Sequence, residues 1–205
     1  MPQFLPAEKE KLQHDLITAG KKLFMTQGLK KTSLEQLTQA VGIAKSTFYA
    51  FFDSKEALYL ELLELEAVGM EERVWKAVEQ TTDARGGIIA YLRQMVLELD
   101  TNPLTKRLIT HPEEMALVTR RVTPEYVGRK MQRNVVPLTN YISNQQRLGR
   151  MIDKDPSVIV GFMRAAMLIA VHKQDFGTDI YAEVENMMFA AAADALSATP
   201  DKKEE

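Results

Sequence analysis

The sequence predicts an all-α fold of about nine helices, and three observations support that prediction. Apolar residues recur with the period of an α-helix along most of the chain. Alternating runs are few, and the Asn-Gly and Asp-Gly pairs typical of hairpins are absent from the sequence. Proline and glycine stand mostly at the ends of the periodic segments, where they begin or end helices.

The first predicted helix ends at Gly28, because glycine adopts the left-handed backbone that closes many helices. Thr32 and Glu35 then have the spacing of a capping box, which predicts that the Thr32 hydroxyl accepts a hydrogen bond from the Glu35 amide. A short second helix follows and ends at Gly42, where the turn requires a left-handed residue. The apolar stripe of the first helix consists of Leu12, Leu16, Ala19, Leu23 and Phe24.

A third helix is predicted from about Ala44 to Ala50, and a long fourth helix begins with Asp53 or Ser54 as its cap. Gly86 and Gly87 are interpreted as a turn between helices. We expect further helices at about 84–99, 104–111, 113–120, 124–147, 156–173 and 179–197, and a frayed tail at 200–205.

The composition excludes several classes of protein. Hydrophobic residues make up 45% and charged residues 26% of the chain, as in globular proteins. Cysteine is absent, which excludes disulfides and thiolate metal sites and makes a reducing cytoplasm the expected location. No apolar run approaches the ~20 residues that span a bilayer, and no signal peptide is recognised, so no membrane partner is expected.

Charge is distributed unevenly along the chain, although the net charge is only −2. Residues 1–56 contain eight lysines and six acidic residues, whereas the remainder contains 18 basic and 22 acidic residues. A mildly basic N-terminal segment on an acidic body is compatible with local contact to phosphate groups, but this small bias alone decides nothing.

Residues 29–58 predict a helix-turn-helix, because two short helices meet at a glycine-containing turn behind a longer helix. In such units the second short helix enters the major groove of DNA. Phe48 and Phe52 stand four residues apart and are predicted to anchor this helix from the inside. The predicted outward side chains are Lys45, Ser46, Thr47 and Tyr49.

The same segment resembles the DNA-binding domain of the TetR family of regulators. The chain departs from the family pattern at Thr38, where the family has alanine, at Ala44, where it has a capping serine, and at Ser46, where glycine is common. These departures bear on the DNA sequence that is read more than on the fold. The positions that match in register are Thr32, Gly42, Thr47, Phe48, Tyr49, Phe52, Ser54, Lys55, Glu56 and Leu58.

The resemblance implies six DNA contacts. Lys45 and Ser46 are expected to read base edges. The alternatives are that Tyr49 only covers the core of the domain and that Lys55 is an ordinary solvated lysine. The implied contacts with the phosphate backbone are Thr32, Thr47, Tyr49 and Lys55, the last helped by the positive end of the fourth helix.

The rest of the chain has no catalytic or metal-binding motif, so no enzyme, metal or cofactor is predicted. Nine of the eleven methionines lie beyond residue 56, and methionine packs well around varied ligands. Since the resemblance implies a pocket among these helices, we expect an unidentified small-molecule effector. The predicted pocket residues are Trp75, Tyr91, Met95, His111, Tyr126, Met131, Tyr141, Phe162 and Met163; the alternative is that most are ordinary core residues.

The last two long helices are apolar on nearly every side, which predicts that they pair with a second copy in a four-helix interface. The alternative is that they pack only within their own chain. The predicted interface residues are Val158, Phe162, Ala166, Ile169, Val184, Met188, Ala191 and Ala195.

These observations predict two domains, a DNA-binding domain at 1–56 and an effector-binding and dimerisation domain at 57–199. The expected function is transcription regulation by a homodimer on double-stranded DNA, with a small apolar or amphipathic ligand releasing a repressor from a palindromic operator. The long fourth helix is expected to transmit the effect of the ligand. The alternatives are an effector-free or activating DNA binder of the same fold, and a helical ligand-binding adaptor without DNA binding.

Overall fold

The computed structural model describes residues 5–198, except for the side chain of Thr178. The predicted tail at 200–205 lies outside the described residues. The all-helical prediction is confirmed, since residues 5–198 form helices and contain no β-structure beyond one isolated antiparallel bridge between Met151 and Ser197.

The α-helices, in chain order, are α1 (Pro6–Lys31), α2 (Leu34–Val41), α3 (Lys45–Phe48), α4 (Lys55–Glu79), α5 (Ala84–Thr101), α6 (Pro103–Thr110), α7 (Pro112–Thr119), α8 (Pro124–Asn134), α9 (Val136–Arg147), α10 (Pro156–Met167), α11 (Lys173–Phe176) and α12 (Thr178–Leu196). A 3₁₀-helix at Leu168–Ala170 follows α10.

The described residues form two compact units. The first unit comprises residues 5–68 and Asp100–Thr123. Its core contains the Tyr59 ring, which packs against Phe24 with centroids 5.1 Å apart and whose hydroxyl donates to the Leu104 carbonyl at 2.7 Å. Further fully buried side chains in this unit are Leu16, Leu29, Leu37, Phe48 and Leu58.

The second unit comprises Gly69–Leu99 and residues 124–198. Arg73 on α4 donates to both carboxylate oxygens of Glu98 on α5, at 2.7 and 2.6 Å, which joins these two helices beside the core. The core of this unit includes Val74, Ile88, Leu92, Ile142, Met163 and Phe189. The sequence boundary at residue 56 stays a prediction.

The capping box at the start of α2 lies one residue later than the sequence predicts. Ser33 Oγ accepts the Gln36 amide at 3.2 Å, and the Gln36 side chain accepts the Ser33 amide at 2.9 Å. Thr32 belongs to the end of α1 instead: its amide and its hydroxyl both donate to the Gly28 carbonyl, at 3.2 and 2.7 Å, and its hydroxyl oxygen accepts from Gln27 Nε2 rather than from the Glu35 amide.

The single helix predicted at 124–147 is wrong, because the structure divides this segment into α8 and α9. Pro137 lies in the first turn of α9. Proline has no amide hydrogen and its ring collides with the carbonyl four residues earlier, so the helix cannot continue through it. The helix predicted at 156–173 also ends early, at Met167, although no proline or glycine marks that position.

Gly86 and Gly87 do not form a turn, since both lie in the first turn of α5. The Asp83 carboxylate accepts the Gly86 amide at 2.7 Å and so caps this helix. Gly87 is required for another reason: a Cβ atom there would lie 2.0 Å from the Tyr141 hydroxyl oxygen. A close approach between α5 and α9 thus explains this glycine.

Candidate nucleic-acid interface

The backbone between α2 and α3 has the helix-turn-helix geometry that the sequence predicts. Gly42 adopts φ 74° and ψ 31°, the left-handed conformation expected at this turn. The Gly42 amide donates to the Gln39 carbonyl at 3.2 Å, and the Ile43 amide donates to the Thr38 carbonyl at 3.0 Å. These bonds close α2 and direct the chain into α3.

Phe48 fixes the orientation of α3 because its side chain is fully buried. Its ring packs against Phe52 with centroids 5.9 Å apart and meets the Tyr49 ring edge-on at 5.8 Å. The inward role predicted for Phe48 and Phe52 is therefore confirmed, and α3 presents its opposite side to solvent.

Three of the four side chains predicted to point outward from α3 are exposed: Lys45, Ser46 and Tyr49. Tyr49 keeps 52% of its surface exposed while its ring contacts Phe48, so part of the side chain is open to a partner; its DNA contact stays a prediction. Lys45 Nζ forms an ion pair with Glu35 Oε1 at 2.6 Å, which joins α3 to α2. A phosphate that binds Lys45 must therefore compete with this carboxylate.

The other predicted outward residue, Thr47, is buried on the same side as Phe48, so its predicted orientation is wrong. In this helix of only four residues, Thr47 and Phe48 are the two residues whose side chains are buried. Thr32 is only 1% exposed, and its hydroxyl is bonded to Gly28. Their DNA contacts stay predictions, and each needs the hydroxyl to become accessible.

Lys55 is neither free in solvent nor directed away from the domain. Its Nζ atom donates to the carbonyl oxygens of Leu29 at 2.8 Å, Lys30 at 3.3 Å and Thr32 at 2.7 Å. The Lys55 amine thus holds carbonyls of residues 28–33. This segment, which we call the α1–α2 connection, runs from the kink inside α1 at Gly28 (φ 85°, ψ 168°) to the start of α2. The predicted phosphate contact of Lys55 stays a prediction.

A second group from α6 and α7 holds the amides of the same connection. The Glu114 carboxylate, 1% exposed, accepts the amides of Leu29 and Lys30, both at 3.2 Å. It also accepts two hydrogen bonds from Arg107, at 2.8 and 3.0 Å. No spacing rule indicates this contact from the sequence, because 84 and 85 residues separate Glu114 from its amide partners.

The charges at these sites reinforce one another. The hydrogen bond from Lys45 lowers the pKa of the Glu35 carboxyl, and Glu35 in turn raises the pKa of Lys45. Burial alone would raise the pKa of Glu114, but hydrogen bonds from Arg107 and from the amides of Lys30 and Leu29 outweigh it and lower the pKa. Both carboxyls are therefore ionised near neutral pH.

The structure brings together only part of the predicted effector pocket. Tyr91 and Met163 are buried in the core of the second unit, and Trp75, Met95 and Tyr141 pack against it. The Trp75 ring lies 5.9 Å from the Tyr91 ring and 5.8 Å from the Tyr141 ring, measured between centroids.

The other predicted pocket residues lie apart from this cluster. His111 lies in the first unit, between α6 and α7, with Nδ1 2.9 Å from the Thr110 hydroxyl. Tyr126 and Met131 lie on α8, which buries none of its residues, and Phe162 is exposed on α10. Amphipathic spacing identifies apolar residues but does not indicate which of them share a cavity.

The predicted dimer residues divide into an exposed and a buried set. Ala166 and Ile169 are buried within their own unit, as the alternative of packing inside one chain predicts, and Val184 is half-buried. The exposed residues of the set are Val158, Phe162, Met188, Ala191 and Ala195. Leu168, Ile180 and Met187 add to this exposed apolar surface, which we call the α10–α12 face.

Among residues 5–198, no cluster of three or more histidine, aspartate or glutamate side chains is placed to hold a metal ion. Within the same residues, no helix is long and apolar enough to cross a membrane.

Comparison with protein families identifies the N-terminal segment. Residues 16–62 match the model of the bacterial regulatory proteins of the tetR family. Over 56 residues, 27% of this chain, the sequence is 43% identical to an uncharacterized HTH-type transcriptional regulator, YuxN of Bacillus subtilis. The aligned part spans only 18% of that protein.

Solved structures extend the likeness to nearly the whole chain. A TetR-family transcriptional regulator from Pectobacterium atrosepticum is 21% identical with a TM-score of 0.65, covering 94% of this chain and 93% of that one. The transcriptional regulator FadR from Bacillus subtilis, solved with stearoyl-CoA, is 13% identical with a TM-score of 0.66, covering 89% and 98%. At these identities the likeness shows a common fold.

Proposed function

We propose that this chain is a dimeric transcription repressor that binds a palindromic operator in the cytoplasm. The match of residues 16–62 to the tetR family model, which confirms the resemblance to the TetR family, supports this proposal. One observation carries the proposal: α3 is fixed from inside by Phe48 and presents Lys45, Ser46 and Tyr49 to solvent. Long polar and aromatic side chains on such a helix suit contacts with phosphates and base edges.

The α10–α12 face supports the dimer. It exposes several large apolar side chains, among them Val158 at 60% and Met187 at 66%. Large apolar side chains left exposed on two helices that contact each other are typical of a protein interface. A two-fold dimer would present two copies of α3 to successive major grooves, so we expect half-sites about one helical turn apart.

A small-molecule effector is the second part of the proposal. FadR, which shares the fold, was solved with stearoyl-CoA, so the fold is able to hold a ligand. A ligand changes DNA binding only if it prefers one of two conformations of the protein. The continuous helix α4 is suited to this coupling, because Trp75 lies near its C-terminal end and Lys55, which holds the α1–α2 connection, lies at its start.

The first test is selection of duplexes from a random pool with the wild-type protein and Tyr49→Ala in parallel. Tyr126→Ala is the matched control, since it removes a tyrosine from α8, outside the helix-turn-helix. We expect wild type and control to recover the same palindrome and Tyr49→Ala to lose it. Running the selection at two salt concentrations separates specific from purely electrostatic binding.

Two outcomes of the duplex selection would contradict the proposal. Recovery of no motif by the wild type, with only weak salt-sensitive binding, would favour the adaptor without DNA binding. Recovery of the same motif by Tyr49→Ala at equal affinity would remove α3 as the reading helix.

A further inference from the structure

The Lys55 ammonium has no hydrogen atom left to donate to a phosphate. A lysine ammonium donates at most three hydrogen bonds. Lys55 Nζ already donates to three carbonyl oxygens, those of Leu29 at 2.8 Å, Lys30 at 3.3 Å and Thr32 at 2.7 Å. If the segment that leads into the helix-turn-helix contacts a DNA phosphate, the contact therefore needs a different donor.

Two lysines on the α1–α2 connection itself, Lys30 and Lys31, are suitable donors. Both side chains are exposed, whereas the preceding residue, Leu29, is fully buried and anchors this turn in the core. Within the part of the chain that the structure describes, neither lysine has an acidic partner, in contrast to Lys45, which pairs with Glu35. The connection thus presents two adjacent positive charges that are available to an anion.

The backbone that carries these two lysines is held at both its carbonyls and its amides. Lys55 donates to the Lys30 carbonyl, and the Glu114 carboxylate accepts the amides of Leu29 and Lys30, both at 3.2 Å. A contact made from a fixed backbone loses less conformational freedom on binding than one made from a mobile loop. The buried contacts therefore pre-organise the backbone beneath the lysine pair.

The connection leads directly into the first helix of the helix-turn-helix. Gln36, in the first turn of α2, accepts the Ser33 amide at 2.9 Å, and its neighbour Glu35 pairs with Lys45 on α3 at 2.6 Å. When the second helix of such a unit enters the major groove, the first helix crosses the phosphate backbone. Lysines that immediately precede the first helix are therefore well placed to meet that backbone.

We propose that Lys30 and Lys31 bind the phosphate backbone of DNA, and that Lys55 and Glu114 position them without touching DNA. This inference rests on the proposed function and adds to it a contact surface outside α3. Phosphate contacts fix the position of a protein on the duplex but do not read its sequence. The lysine pair should therefore strengthen binding to the operator and to a random duplex by the same factor.

The test is a salt titration of DNA binding, followed by fluorescence anisotropy, with full-length protein at salt concentrations from about 0.05 to 0.3 M. The DNA probes are a duplex of random sequence and the operator recovered by the duplex selection. The variants are Lys30→Gln, Lys31→Gln and the double substitution. Lys154→Gln is the matched control, because it removes the same charge from an exposed lysine of the second unit.

Each phosphate contact adds about 0.9 to the slope of log affinity against log salt concentration. A dimer carries two copies of each lysine, so either single substitution should reduce this slope by roughly 2 and the double substitution by roughly 4. At about 0.1 M salt we expect each single substitution to weaken binding to both duplexes at least tenfold. Lys154→Gln should leave the slope and the affinity unchanged, and circular dichroism should show the same helix content in all variants.

Three results would overturn this inference while leaving the proposed DNA binding intact. The first is wild-type binding whose slope changes in none of the lysine-pair variants, or changes equally in Lys154→Gln. The second is a reduced slope for Lys55→Gln but not for Lys30→Gln or Lys31→Gln, which would return the contact to Lys55. The third is a larger loss of affinity for the operator than for the random duplex, which would indicate sequence reading. Absence of any DNA binding by the wild type would instead overturn the proposed function and this inference together.

Discussion

Replacing Glu114 by alanine should destabilise the protein strongly, because the substitution leaves Arg107 and two backbone amides without their acceptor. Breaking a buried, hydrogen-bonded ion pair costs about 3–5 kcal/mol. The Arg107 side chain keeps 21% of its surface exposed, so water recovers part of this loss. We therefore expect the free energy of unfolding to fall by about 2–4 kcal/mol.

Urea unfolding followed by circular dichroism measures this change in the free energy of unfolding. All samples should have the same protein concentration, because the stability of a dimer depends on the concentration of its subunits. Glu113→Ala is the matched control, since Glu113 is an exposed acid in the same first turn of α7; its effect should stay within about 0.5 kcal/mol. Equal effects of the two substitutions would refute the role assigned to Glu114.

The pH dependence of the same difference provides a second readout. The pKa of Glu114 is lowered in the folded protein. Its stabilising contribution should therefore be complete above the ordinary carboxyl pKa of about 4.3 and disappear as the pH falls through the lower folded-state pKa. A difference between wild type and Glu114→Ala that grows on acidification would contradict this sign.

Three further predictions follow from other parts of the structure. Gly28→Ala should lower the free energy of unfolding by about 1–3 kcal/mol, because Gly28 has φ 85° and an added Cβ would lie 2.0 Å from an Arg107 nitrogen. Gly128→Ala on α8 should instead raise it by up to about 1 kcal/mol, because the added Cβ meets no other atom. Thermal melts that rank the two variants in the opposite order would contradict both predictions. Glu35→Gln should increase the affinity for DNA, measured by fluorescence anisotropy, because it releases Lys45 from its ion pair; the increase should be largest at low salt. An unchanged affinity would show that the ion pair does not compete with phosphate. Met187→Glu should give monomers in analytical ultracentrifugation because it places a charge on the α10–α12 face, which a dimer of unchanged mass would contradict.

The sequence predicts most reliably the features that depend on near neighbours in the chain. The left-handed turn at Gly42 and the inward side of α3 follow from one glycine and from the spacing of Phe48 and Phe52. The cap of α4 is also local, since the Ser54 hydroxyl accepts the Ala57 amide at 3.1 Å.

Features that depend on distant contacts are harder to predict. Thr32 matches a capping pattern, but its hydroxyl bonds to the end of α1, so Ser33 becomes the cap. Gly87 resembles a turn residue, yet the Tyr141 side chain, 54 positions later in the numbering, is what requires it. The division of the segment 124–147 does have a local signal in the sequence, namely Pro137 within the amphipathic pattern.

The contacts around the α1–α2 connection have a consequence for transplanting the DNA-binding module into another regulator. Lys55 holds its carbonyls from within the N-terminal segment. Glu114, which accepts its amides, and Arg107, which donates to Glu114, lie in Asp100–Thr123, the later stretch of the same unit. A chimera that joins residues 1–62 to a foreign body would omit half of these contacts. A graft that also carries Asp100–Thr123 would retain them, so the portable piece is discontinuous in sequence.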